Sequence, residues 1–145
     1  MLKNIKAVEI LNKIIIQCSR NPKILFVVDT IGALLSCAFL FMIAKKFSLN
    51  FGISETVWVN LSLIALLMAF YSTFCSLGVK HRWMSFLISI SVINIIYCAL
   101  TIGVLIYHWS ELTALGKTYL SAEIVVILLL VFFELNTAKT ISLKK

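Results

Sequence analysis

Between Ile24 and Ala44 the chain reads ILFVVDTIGALLSCAFLFMIA, and its only charged residue is Asp29. A helix of this length, rising ~1.5 Å per residue, crosses the ~30 Å hydrocarbon core of a bilayer. Three further runs share this apolar character: Val57–Val79, Met84–Tyr107 and Thr118–Leu135. The last is the shortest and carries Glu123 and Glu134. The expected fold is therefore all-α, an integral membrane bundle of four transmembrane helices.

Composition agrees with this reading. Apolar residues make up 61% of the 145 and charged residues only 13%. A soluble domain of this size has too little interior to hide that much apolar surface, so lipid must cover the rest. The net charge of +7 would suggest nucleic acid in a soluble protein, but here the bases flank the apolar runs. That is the signature of membrane orientation, and nucleic acid is not an expected partner.

Orientation follows from where the bases fall. Lys3, Lys6, Lys13, Arg20 and Lys23 precede the first run. Lys80 and Arg82 lie between the second and third, and Lys139, Lys144 and Lys145 follow the fourth. Only Lys45, Lys46 and Lys117 lie on the other side. This bias predicts both termini in the cytoplasm. The turn Lys80-His81-Arg82-Trp83 is short enough to make its two helices antiparallel neighbours. Trp58, Trp83 and Trp109, with Tyr107 and Tyr119, fall at the ends of runs, where aromatic rings favour the headgroup region.

Ahead of the first span lies a different object. Ala7, Val8, Ile10, Leu11, Ile14, Ile15 and Cys18 share one helical face. Lys6, Glu9, Asn12, Lys13 and Gln17 share the other, and Ile16 breaks the pattern. This predicts an amphipathic helix in the cytoplasmic interface, ended near Asn21-Pro22. The organisation expected is thus a cytoplasmic amphipathic helix over 1–23, a membrane domain over 24–137 with spans 24–44, 57–79, 84–107 and 118–135, and a basic tail over 138–145. Leu34-Leu35-Ser36-Cys37 loosely resembles a lipoprotein cleavage box, but the apolar run continues past it, so no cleavage is expected.

Chemistry-bearing residues are few. Cys18, Cys37, Cys75 and Cys98 form no C-x-x-C pair and read as apolar packing residues. His108 and Glu111 lie across the bilayer from His81 and cannot share a metal with it. Asn60-Leu61-Ser62 matches a glycosylation triplet but begins inside a helix. No catalytic, metal or cofactor motif is present, and none of these groups is expected.

The informative residues are polar ones at membrane depth: Asp29, Asn94, Glu123 and Glu134, with Tyr71 and Tyr97 nearby. An ionisable group at such depth costs a few kcal/mol and ordinarily faces a bundle interior or cavity. Asp29 and Glu134 should lie at similar depth toward the cytoplasm, and Glu123 about 6 Å beyond its helix centre on the other side. Spacing places them inside. Asp29, Gly32, Ala33 and Ser36 share one face; so do Ser62, Ala65, Ala69, Ser72 and Ser76. Ser91, Asn94, Cys98 and Thr101 form a third stripe, and Glu123, Ile127, Leu130 and Glu134 a fourth. Asp29 is expected to meet Tyr71, Ser91 or Glu134, with Lys80 and Arg82 as candidate counter-ions.

Asp29-x-x-Gly32-Ala33, Phe51-Gly52-Ile53, Asn94-x-x-Tyr97-Cys98 and Glu134-Leu135 resemble a set of small, uncharacterised bacterial inner-membrane proteins. The resemblance implies only location, a bacterial inner membrane, and topology. Asp29-Thr30-Ile31-Gly32 is also similar in local shape to small multidrug exporters, whose first helix carries an embedded acid followed three residues on by glycine. The chain departs from them in having Asp rather than Glu, a long amphipathic start and two further acids.

Three functions compete. The first is a non-enzymatic membrane subunit or helper, with a membrane protein partner or a second copy of itself. The second is a small proton-coupled transporter using its intramembrane carboxylates. The third is a lipid-modifying enzyme using Asp29 or Glu134 with Tyr71 or Tyr97. A filled, dry core would favour the first, and a water path through the acids the second. A side-opening apolar pocket beside the acids would favour the third.

Overall fold

The computed structural model describes the backbone of residues 2–79 and 82–143; the side chains of residues 2–8, 12 and 49 lie outside that description. Lys80 and His81, and with them part of the tight turn, fall outside it, as do the side chains of Lys6, Ala7, Val8 and Asn12. The described residues form helices α1 (Leu2–Arg20), α2 (Lys23–Met42), α3 (Ser48–Phe51), α4 (Glu55–Gly78), α5 (Trp83–Tyr107) and α6 (Ala114–Ser142). Four segments are long and apolar enough to cross a membrane: α2 with its continuation to Phe47, α4, α5 and α6. The protein is an all-helical membrane bundle preceded by an N-terminal helix.

Local chemistry sets the breaks between helices. Pro22 lacks an amide hydrogen and stands just before the first turn of α2, where no intrahelical donor is needed. At its far end α2 loosens into a π-helical turn, Ile43–Phe47, which carries Lys45 and Lys46 out of the apolar zone. Ser54 is extended before α4, and Glu55 places a negative charge in that helix's first turn, at the positive end of its dipole. The Thr113 hydroxyl accepts the Gly116 amide at 3.3 Å and caps α6.

Two helix pairs carry the packing: α2 runs along α4, and α5 along α6. The α2–α6 and α4–α5 seams are looser. One end of the bundle is sealed by its loops. Phe51 packs edge-on against Trp58 and Tyr119, and Trp58 against Tyr119. Gly52 sits at φ +92°, where a Cβ would stand 2.0 Å from the Glu111 carbonyl oxygen, so only glycine fits. Thr113 ties the loops together, its amide to the Phe51 carbonyl at 3.2 Å and its hydroxyl to that of Asn50 at 2.8 Å.

This end corrects one expectation. Trp58 does not present its ring to the headgroups but is fully buried among Phe51, Tyr119 and the ends of α4 and α6. A position near a helix end fixes depth, not the direction a ring takes. Trp109 and Tyr107 are exposed, and Lys117 lies 4.4 Å over the Trp109 ring.

The opposite end is closed by α1. Ile15 and Cys18 are buried, and Cys18 packs in a cluster with Leu25, Phe26 and Ala138, joined by Ile141. Ile10, Ile14 and Ile16 remain exposed. The fourth span extends beyond the apolar run at both ends, and Ala138–Ser142 are its last turns. At about 44 Å, α6 outreaches the hydrocarbon core, and its final turns provide the surface on which α1 docks.

Candidate functional site: buried carboxylates and a cavity in the α2–α6 seam

All three intramembrane acids face the interior: Asp29, Glu123 and Glu134 are 3%, 7% and 1% exposed. Each follows from helical spacing. On α6 the buried positions Gly116, Leu120, Glu123, Ile127, Val131, Glu134 and Ala138 advance in steps of three and four. On α5 Ser91, Asn94, Cys98 and Thr101 do the same.

Asp29 and Glu134 belong to one cluster drawn from all four spans. Ser72 of α4 donates to Oδ2 of Asp29. Asn94 of α5 donates through Nδ2 to Oδ1 of Asp29 at 3.0 Å, and reaches Oε1 and Oε2 of Glu134 at 3.4 and 3.5 Å. Ser91 donates to Oε2 of Glu134 at 2.9 Å. One amide thus bridges two carboxyl groups, and every oxygen of both has a donor. Among the described residues no basic side chain pairs with either acid. Arg82 lies exposed at a left-handed backbone position, and Lys80 is outside the described residues.

Glu123 stands apart with Tyr97, whose hydroxyl donates to Oε1 at 3.2 Å. Its other oxygen, Oε2, is buried and has no hydrogen-bond partner. Ser36 of α2 lies near this carboxyl across the seam, with no hydrogen bond of good geometry between them.

Beside both groups the α2–α6 seam encloses a cavity of about 270 Å³. Asp29, Ser36, Asn94, Tyr97, Tyr119 and Glu123 supply polar groups to its wall, and Gly32, Ala33, Ala65, Met68 and Ile127 much of the apolar remainder. Leu35, Phe39 and Val126 also border it, and each is more than half exposed on the outer surface of the bundle. The mouth therefore faces sideways, toward lipid.

The six candidate residues divide. Asp29, Asn94 and Glu134 come together, Tyr97 joins Glu123, and Tyr71 joins neither. Tyr71 is half-buried against the cluster of Leu25, Phe26, Cys75 and Leu87. Asp29 meets Ser72 where Tyr71 was one expected partner. The reason is angular: Ala65, Ala69 and Ser72 share the inner face of α4, and Tyr71 is turned about 100° from it. Ser91, also an expected partner of Asp29, meets Glu134 instead, and Ser72 and Ser36 are the members that the sequence placed only in packing stripes. Their usable signal was a hydroxyl at the depth of an acid on a neighbouring span.

The fold and this site define a class: a four-span membrane protein with an acid-lined, laterally open interior. No family model matches the chain, and no curated protein or solved structure matches it either.

Proposed function

We propose that this protein is a small membrane carrier that takes an amphiphilic molecule from the bilayer through the α2–α6 seam. The carrying observation is the cavity itself: apolar over most of its wall, bordered by lipid-facing Leu35, Phe39 and Val126, and touched inside by Asp29, Asn94, Tyr97 and Glu123. A helper that only packs against a partner has no need of three buried carboxyl groups, each costly at this depth. The Asp29–Asn94–Glu134 cluster holds the four spans in register, and the half-partnered Glu123 is the group left to meet a ligand.

The direct test is transbilayer movement in proteoliposomes of fluorescent short-chain amphiphiles with amine, alcohol or carboxylate heads. An impermeant quencher reads the outer leaflet. The protein should accelerate at least one probe, and Val126→Trp, which plugs the mouth from the lipid side, should abolish that acceleration without loss of folded yield. Rates equal to those of protein-free vesicles for all three heads reject the carrier.

The lateral opening beside the acids is the feature that favours a lipid-modifying enzyme, and this is the second reading, with Glu123 as acid or base and Tyr97 beside it. The carrier is preferred because Asp29 and Glu134, the acids expected to do that chemistry, have their oxygens engaged by Ser72, Asn94 and Ser91. Chemical conversion of a bound probe, followed by mass spectrometry, would favour the enzyme over the carrier.

We further propose that both termini lie in the cytoplasm, on the distribution of Lys and Arg, and that the membrane is a bacterial cytoplasmic one, on the resemblance to small bacterial inner-membrane proteins. The native cysteines are buried or half-buried. An impermeant maleimide should therefore reach Ser110→Cys, and not Ser142→Cys, from outside intact cells. The reverse pattern inverts the topology.

A further inference from the structure

The geometry points to a bilayer-dissolved amine as the occupant of the α2–α6 cavity, its protonated nitrogen on Glu123 and its hydrocarbon chain leaving between Leu35 and Val126. The inference rests on the carrier reading and names the ligand class for it.

Four observations converge. Oε2 of Glu123 is a buried acceptor without a donor, and Glu123 lines the cavity. Buried polar groups are nearly always partnered, and an orphan acceptor beside a void is where a ligand donor belongs. The other oxygen is already held by Tyr97, so the carboxyl group is oriented before anything binds. No Lys, Arg or His lines the cavity, so an anionic head would meet neutral donors such as Asn94 and Tyr97 but no cation to offset the two acids beside them.

The surroundings are apolar, which strengthens attraction between a cation and a carboxylate well beyond its value in water. Asp29, at the same cavity, adds a second acidic group to its wall. The volume, about 270 Å³, is roughly nine times the ~30 Å³ a water occupies in the liquid. It accommodates an amine head with the first several carbons of a chain. The rest of the chain stays in lipid, where an aliphatic tail already resides and needs no protein pocket.

An alcohol could donate one hydrogen bond to the same oxygen, so charge is the discriminating property. Dodecylamine and dodecanol serve as matched probes in a competition assay. The full-length protein is held in nanodiscs of zwitterionic lipid, so that surface charge does not itself gather the amine, and a spin-labelled alkylamine reports occupancy. Dodecylamine should displace the reporter at least tenfold more effectively than dodecanol. Glu123→Gln, which keeps the size and folded yield, should erase that preference. Tyr97→Phe releases Oε1 but leaves the charge, and should lower amine affinity only severalfold.

Saturable binding of the two probes with equal strength, unaffected by Glu123→Gln but abolished by Val126→Trp, overturns the amine while leaving the carrier reading intact. No saturable binding sensitive to Val126→Trp overturns both. If Glu123→Gln fails to fold, Glu123→Asp, which withdraws the charge by one methylene, takes its place: a lower amine preference supports the inference and an unchanged one rejects it.

Discussion

At Asp29 and Glu134 every carboxylate oxygen accepts a hydrogen bond, whereas at Glu123 one oxygen accepts from Tyr97 and the other from nothing. The two places are built from the same materials: acids on span helices, facing inward, without a basic partner among the described residues. They differ in packing. The Asp29–Glu134 cluster draws a donor from each of α4 and α5 and sits where four helices converge. Glu123 faces the seam between α2 and α6, the less closely packed of its neighbours' boundaries. A buried acid with all its donors is an internal bolt. One lacking a donor beside a void is a binding group, and burial alone does not separate the two.

The largest effect should come from the bolt. Asn94→Leu removes the amide that serves both acids and leaves two buried carboxyl groups short of donors, at a cost of about 2–4 kcal/mol. Thermal unfolding in detergent, followed by circular dichroism, should show a steeper loss than for Gly52→Ala, Asp29→Asn or Glu123→Gln. An unchanged midpoint would dissolve the distinction between the two acid sites.

Next in size is Gly52→Ala at the sealed end. The new Cβ would collide with the Glu111 carbonyl at a backbone position unfavourable to alanine, for about 2 kcal/mol. Because Phe51 carries the strain to Tyr119, which lines the cavity, this variant should also weaken probe binding. Full binding with reduced stability would show that the seal and the cavity are independent.

Asp29→Asn keeps size and one acceptor but sets a second amide against a site arranged for donors from Ser72 and Asn94. We expect about 1 kcal/mol of destabilisation. Glu123→Gln is the contrasting case. Its amide has no established donor network to disrupt at Oε2, so unfolding should move by less than about 0.5 kcal/mol, while amine binding is lost. A larger destabilisation from Glu123→Gln than from Asp29→Asn reverses the roles assigned to the two sites.

Hydrophobic length, charge placement and residue spacing were enough to read a four-span helical bundle and the inward faces of its helices. Lipid exposure and the cost of burying a carboxyl group act on each helix separately, so each leaves its mark in local sequence. Asp29, Asn94, Glu123 and Glu134 were visible for that reason. Which acid met which donor was not. Ser72 differs from Ser76, and Tyr71 from Tyr97, only in how far α4 and α5 are rotated and shifted against their neighbours, and that is set by side-chain packing over the whole bundle. The same holds for Trp58, whose place near a helix end said nothing of the ring lying inward. The cavity is the plainest instance: it consists of space that α2 and α6 fail to fill. A void has no residues of its own, so only the relative placement of the helices brings it into being.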